Sequence, residues 1–213
     1  MVHRGEIAGV DGQKSVCIDP GVGPVTSACL FYTFSGNRPV IGFEFEHFVR
    51  QYGCRVHNFR AGVRAPSGSD DEFFHFETLK LGAATSAGDG TETLLSIYQR
   101  LTPAHGKRYV DVVAIEFEDG DEVEILTQIR HSGILARIRQ LNIRVRLRQP
   151  DSVEYLRRLA NTMRHIEDEG WSRFMSRPSL FDPGMVLGRA DYLVYELAWY
   201  NNRLYKGFTK LYD

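Results

Sequence analysis

The sequence has almost no cysteine, no excess of either charge and no long apolar run. Its three cysteines, Cys17, Cys29 and Cys54, are widely spaced. They form neither a zinc pattern nor the disulfide framework of a small secreted domain. The charges balance, with 26 basic and 27 acidic residues in 213, which argues against a tail-driven, nonspecific binder of nucleic acid but leaves local patches open. No apolar stretch approaches the ~20 residues that a spanning helix needs, and the first residues are polar, without a signal peptide. These absences predict an intracellular protein of a reducing compartment, cytoplasmic or nuclear, with no membrane partner. The seven histidines lack ligand spacing, and His57 and His75 read as packing or surface residues.

What is present suits an α/β domain. Apolar residues make up 43% of the chain, enough for a full core, and the length fits a single domain over 1–213. Val16-Cys17-Ile18 reads as a short buried strand that stops at Asp19-Pro20-Gly21. Val25 to Phe34 reads as a second strand, Gly36-Asn37 as a hairpin turn and Val40 to Phe48 as a third strand. Residues 49–90 show no clear pattern and are expected to be an insertion or mobile region. Thr91 to Arg100 predicts a helix with Thr91 as its cap. Tyr109 to Ile115 is the strongest strand, its continuous apolar run implying cover on both faces. A helix of about 20 residues is expected after Asp121, weakened at Gly133. Then come a strand over Ile143–Leu147, a helix capped by Asp151 or Ser152, and a last helix striped by Ala190, Leu193, Val194, Leu197 and Ala198. The order β-β-β-α-β-α-β-α-α implies a mixed sheet with helices on its faces.

Sites in open α/β sheets gather at the carboxyl ends of strands. Asp19 ends the first expected strand and Glu116 the fourth. If these are parallel neighbours, their carboxylates meet at one edge, and a divalent cation relieves their repulsion. Oxygen-only ligation favours Mg²⁺ or Mn²⁺. Asp191, in the first turn of the last expected helix, can add a third carboxylate; Glu118 and Asp182 are lesser candidates. Arginines supply a possible phosphate-binding surface. Residues 130–164 hold nine of them against the acids Asp151 and Glu154, with Arg137 and Arg139 on a helix and Arg144, Arg146 and Arg148 along one strand face.

The segment Ser15-Val-Cys-Ile-Asp19-Pro-Gly-Val resembles the opening strand of RuvC-type Holliday junction resolvases. Tyr109-Val-Asp-Val-Val-Ala-Ile-Glu116 is similar to their fourth strand, and Arg189-Ala-Asp191-Tyr-Leu-Val-Tyr-Glu-Leu-Ala to their closing helix. The resemblance covers most of the chain outside residues 49–90. It implies an RNase H-like fold with a mixed five-stranded sheet and helices on both faces. It also implies a metal-dependent endodeoxyribonuclease that resolves branched DNA by two-metal phosphodiester hydrolysis. Asp19, Glu116 and Asp191 would hold the ions, and a homodimer would make paired cuts. Where that family carries a further acid three residues before Asp191, this chain has Gly188. That departure supports an alternative expectation, a scaffold or nucleic-acid-binding protein with a degenerate site. An actin-like or sugar-kinase-like ATPase is a third reading, for which the chain is too short.

Overall fold

The computed structural model describes residues 4–6, 15–19, 21–36, 43–62, 71–117, 120–148, 151–180 and 182–205. Its main elements run in chain order as β1 (Leu30–Ser35), α1 (Phe43–Tyr52), β2 (Arg55–Arg60), β3 (Phe74–Thr78), α2 (Leu94–His105), β4 (Val110–Glu116), α3 (Glu122–His131), β5 (Ile138–Arg146), α4 (Val153–Asp168), β6 (Trp171–Pro178) and β7 (Val194–Asn201). The seven strands form one sheet in the order β6-β7-β5-β4-β1-β2-β3. Strands β1 to β5 are parallel, and β7 runs antiparallel between β5 and β6. Among the described residues, three two-stranded pairs stand outside it: Arg4–Glu6 with Ser15–Cys17, Lys80–Leu81 with Thr91–Glu92, and Pro183–Val186 with Arg189–Tyr192.

The fold is mixed α/β as expected, but its sheet has seven strands rather than five and its topology is not that of the expected RNase H-like fold. The expected opening meander does not form among the described residues. Val40 to Phe48 do not make a strand: Asn37 and residues 40–42 lie outside the described residues, and helix α1 begins at Phe43. Only Ile41, Phe43 and Phe45 alternate, too few to fix a strand. The helical reading puts Glu46 and Arg50 one turn apart, ion-paired at 2.9 Å, and buries Val49 against the sheet. Strand β1 therefore joins β2 through a helical crossover, which parallel pairing requires.

Ser15–Cys17 is a strand, but not one of the main sheet. It lies against β5, where Gln140 Oε1 accepts from Cys17 N at 2.8 Å and Gln140 Nε2 donates to Cys17 O at 2.8 Å and Val22 O at 2.9 Å. The long helix expected after Asp121 is halved. Gly133 takes the left-handed conformation (φ 76) after α3, a short 3₁₀ turn follows at Ile134–Arg137, and β5 starts at Ile138. The expected last helix is a hairpin and strand β7. Its apolar spacing fits a strand equally well, since Tyr195, Leu197 and Trp199 share one face, and pairing on β5 satisfies backbone groups that a helix would have left open.

Helix α4 starts at one of its two expected caps, and α2 starts two residues beyond its expected one. Thr93 Oγ1 accepts from Ser96 N at 3.2 Å, and Ser152 Oγ accepts from Tyr155 N at 3.0 Å. Cys29 and Cys54 form a buried disulfide that ties the start of β1 to the start of β2. It runs against the expected reducing compartment, where such bonds are rare. Among the described residues, no helix is long and apolar enough to cross a membrane.

Candidate functional site

Strand order reverses between β1 and β4. The chain leaves β1 through α1 toward β2 and leaves β4 through α3 toward β5, on opposite faces of the sheet. The run β3-β2-β1-β4-β5 is a doubly wound order, and in such sheets ligands bind outside the carboxyl ends at the switch point. A crevice opens there. Its walls are Phe34, Phe59, Leu79, Leu81, Ile115, Phe117 and Ile125, and Ser35, Lys80, Glu116 and Asp121 supply the polar groups at its rim. The rings of Phe34 and Phe59 stack 4.8 Å apart at 13°. Lys80 Nζ reaches Asp121 Oδ2 at 3.8 Å, both side chains being about a third or more exposed.

The opposite face of the same edge is polar. Register across the sheet places Thr78, Arg60 and Ser35 in one row. One step beyond the Phe34–Ile115 pair, Glu116 follows, then Arg144, Glu196 and Arg177. Charges alternate along this row. Arg144 and Glu196 are nearly buried and ion-paired at 3.7 Å, and Asp182 reaches Arg144 at 3.7 Å and Arg146 at 3.0 Å. The row beneath holds Asn58, Thr33, Ala114 and Asn142. Among the described residues Thr33 Oγ1, Ser35 Oγ, Asn58 Oδ1 and Asn142 Oδ1 are buried without a hydrogen-bond partner. Buried oxygens of this kind are exceptional and call for a partner or a function.

The structure does not gather the expected carboxylates. Asp19 lies in the turn after the Ser15–Cys17 strand, its carbonyl accepting from Val22 N and Gly23 N. Glu116 does end β4 at the switch point. Asp191 sits exposed on the outlying hairpin and accepts from Tyr195 O–H and Tyr192 N at 2.7 Å each, bonds that hold its carboxyl below the usual range. Among the described residues, no group of three histidines, cysteines or acids could hold a metal ion; Glu118 lies outside them. The arginines are dispersed. Arg137 is exposed, Arg139 pairs with Asp111 at 3.5 Å and lies over the Tyr109 ring, Arg144 and Arg146 are held by acids, and the backbone N of Arg148 donates to Asp151.

Sequence reasoning missed Ser35, Arg60, Lys80 and Asp121. Their signal is position at the end of a strand or the start of a helix, visible only once β2 and α1 are assigned. It also missed a buried network beside the crevice wall. There Tyr32 O–H and His105 Nε2 are 2.6 Å apart, His105 Nδ1 and Gly106 O are 2.6 Å apart, and the His57 ring stands 5.2 Å from that of His75. Burial pushes the Tyr32 hydroxyl up and the His57 imidazole down to about 4.

No protein-family model and no curated protein matches the chain. Among solved structures it is similar to a cyclopropane-fatty-acyl-phospholipid synthase-like protein from Lactobacillus casei ATCC 334. That match has 10% identity and a TM-score of 0.42, over 83% of this chain and 85% of that one. It is also similar to the mitomycin 7-O-methyltransferase MmcR, at 12% identity and TM-score 0.34, over 84% of this chain and 51% of that one. The sheet order and the scattered acids overturn the resemblance to RuvC-type resolvases. The Mg-dependent endodeoxyribonuclease falls with it, as does a role in Holliday junctions and recombination. The short motifs misled because Ile-Asp-Pro-Gly and Ala-Ile-Glu each record only that a buried strand ends in an acid, which many α/β sheets share.

Proposed function

We propose that this chain binds a small, ring-bearing ligand in the crevice between β1 and β4 and acts in group transfer, with methyl transfer as the reaction class. The carrying observation is the crevice itself: aromatic walls at the switch point of a doubly wound sheet, rimmed by Lys80, Glu116 and Asp121. Apolar walls with a few convergent polar groups are the usual composition of a small-molecule site, and Phe34, Phe59 and Phe117 contribute buried aromatic rings to those walls. One of the similar structures is named for methyl transfer; the crevice by itself supports the binding of a small ligand, and methyl transfer is the reaction class to test.

A nucleoside-bearing donor fits this edge incompletely. Dinucleotide-binding sheets of this order carry a glycine-rich turn after the first strand and an acid at the end of the second that accepts from the ribose hydroxyls. Here the sequence after β1 reads Ser35-Gly36-Asn37-Arg38-Pro39, and β2 ends in Arg60. Arg60 favours a second reading, a ligand-binding protein without the transfer chemistry.

The test is calorimetric titration with S-adenosylmethionine and S-adenosylhomocysteine, beside Phe59→Ala. Binding that falls at least about tenfold in the variant supports the crevice. Binding of neither compound, with no methyl transfer to a panel of small acceptors, removes the methyl-transfer reading.

A further inference from the structure

The residue that disagrees with a nucleoside diol defines a preference of its own. Ser35 and Arg60 are register partners at the carboxyl ends of adjacent parallel strands. Partners in a sheet share a face, about 5 Å apart. Ser35 is 5% exposed, and its hydroxyl has no hydrogen-bond partner among the described residues. Directly beneath, the Thr33 hydroxyl and Asn58 Oδ1 are in the same condition. Lys80, two residues beyond the end of β3, brings a second cation to the rim of the crevice, where its Nζ lies 3.8 Å from Asp121 Oδ2. Glu116 lies on the other side of Ser35 and stands opposite Arg144 in register.

An arginine in register with a serine whose hydroxyl lacks a partner among the described residues suits a tetrahedral oxyanion, which accepts several charge-assisted hydrogen bonds at once. It does not suit a neutral diol, which needs an acceptor there. We infer that the β1–β2 corner, built from Ser35 and Arg60 with Lys80 beside it, is an anion site that takes a phosphate monoester carried by the ligand. The inference rests on the reading above for its place at the carboxyl edge, and it adds the charge of the ligand.

The experiment compares adenosine, adenosine 2′-monophosphate and inorganic phosphate. Binding is followed by calorimetry and by the shift in melting temperature, for the whole chain and for Arg60→Gln, Arg60→Lys and Ser35→Ala. The expected result is adenosine 2′-monophosphate bound about tenfold or more tightly than adenosine, as a charge-assisted contact implies. That advantage is lost in Arg60→Gln, partly kept in Arg60→Lys and weakened by added salt. Folding of the variants is checked by their melting without ligand, and Arg60→Lys keeps the charge should Arg60→Gln not fold. Adenosine bound as tightly as its phosphate overturns the anion site and leaves the crevice reading standing. Phosphate binding that depends on Arg60, with no contribution from the nucleoside, supports the anion site and removes the ring-binding crevice. Binding of neither phosphate nor nucleotide, or equal binding by the wild type and Arg60→Gln, overturns the proposal.

Discussion

The two faces of the central sheet are built from the same strands and end differently. On the face covered by α2, α3 and α4, the apolar cluster continues to the carboxyl edge through Phe34, Phe59, Ile115, Ile143 and Leu197. On the face covered by α1, it runs through Phe31, Val56, Phe74 and Val112 and then stops. Thr33, Asn58 and Asn142 follow, and beyond them Arg60, Ser35, Glu116 and Arg144. Side chains alternate across a strand with period two, so one sequence carries both programmes. The first face supplies cohesion, and the second keeps polar groups at the switch point.

The largest test of the comparison is in the first face. Trp199 is fully buried on β7, and its Nε1 donates to Glu167 Oε1 at 2.8 Å. Trp199→Ala is expected to cost about 3–5 kcal/mol, read by chemical denaturation; a loss under about 1 kcal/mol would show that this face is not the principal core. The second face has a staple in its place. The Cys29–Cys54 disulfide closes a separation of 25 residues, and the paired substitution to Ala is expected to cost about 3 kcal/mol. An unchanged melting temperature under strong reductant would show that the staple contributes nothing.

A pH titration sharpens the contrast within the first face. Burial, with His75 and His105 nearby, holds His57 neutral, its imidazole at about 4 against an ordinary 6.5. The unfolded chain takes up this proton near pH 6.5 and the folded chain does not. The contribution is therefore complete above about pH 6.5 and falls away by up to about 3 kcal/mol as the pH drops toward about 4. Urea unfolding at about pH 7.5 and about pH 4.5, either side of that window, measures it, and His57→Phe should flatten the difference. The smallest effect belongs to the second face. Thr33→Val removes a buried hydroxyl without a partner among the described residues and is expected to leave stability unchanged or raise it by up to about 1 kcal/mol. A loss above about 1 kcal/mol would mean that the hydroxyl is satisfied in the folded protein and that the polar row is structural.

Much of the fold was legible where one signal dominated. The apolar run Val110–Ile115 is β4 and Ser152 caps α4, whereas Gly133, legible only as a weak point within a longer helix, ends α3 in a conformation few other residues adopt. Legibility failed where short patterns suit two structures. The hairpin and strand β7 carry Ala190, Leu193, Val194 and Leu197 at helical spacing, yet the open side of β5 pairs with β7. Strands β2 and β3 lie among residues 49–90, where Arg55-Val-His-Asn-Phe and Phe74-His-Phe mix polar and apolar residues because their two faces meet different environments. Of the candidate site, Glu116 was readable as an acid ending a strong strand. Arg60 and Ser35 were not, since neither forms a motif.

The sequence by itself determined the balance of charge, the lack of an apolar run long enough to span a membrane as a helix, the strongest strand and the start of α4, because each depends on composition or on a few neighbouring residues. Only the tertiary structure decided which strands are neighbours. Register between residues far apart in the chain placed Ser35 beside Arg60, put Asp19 and Asp191 outside the main sheet, and joined Cys29 to Cys54. Pairing depends on which backbone groups and side-chain faces remain unsatisfied once the other elements have formed, and no local pattern records that.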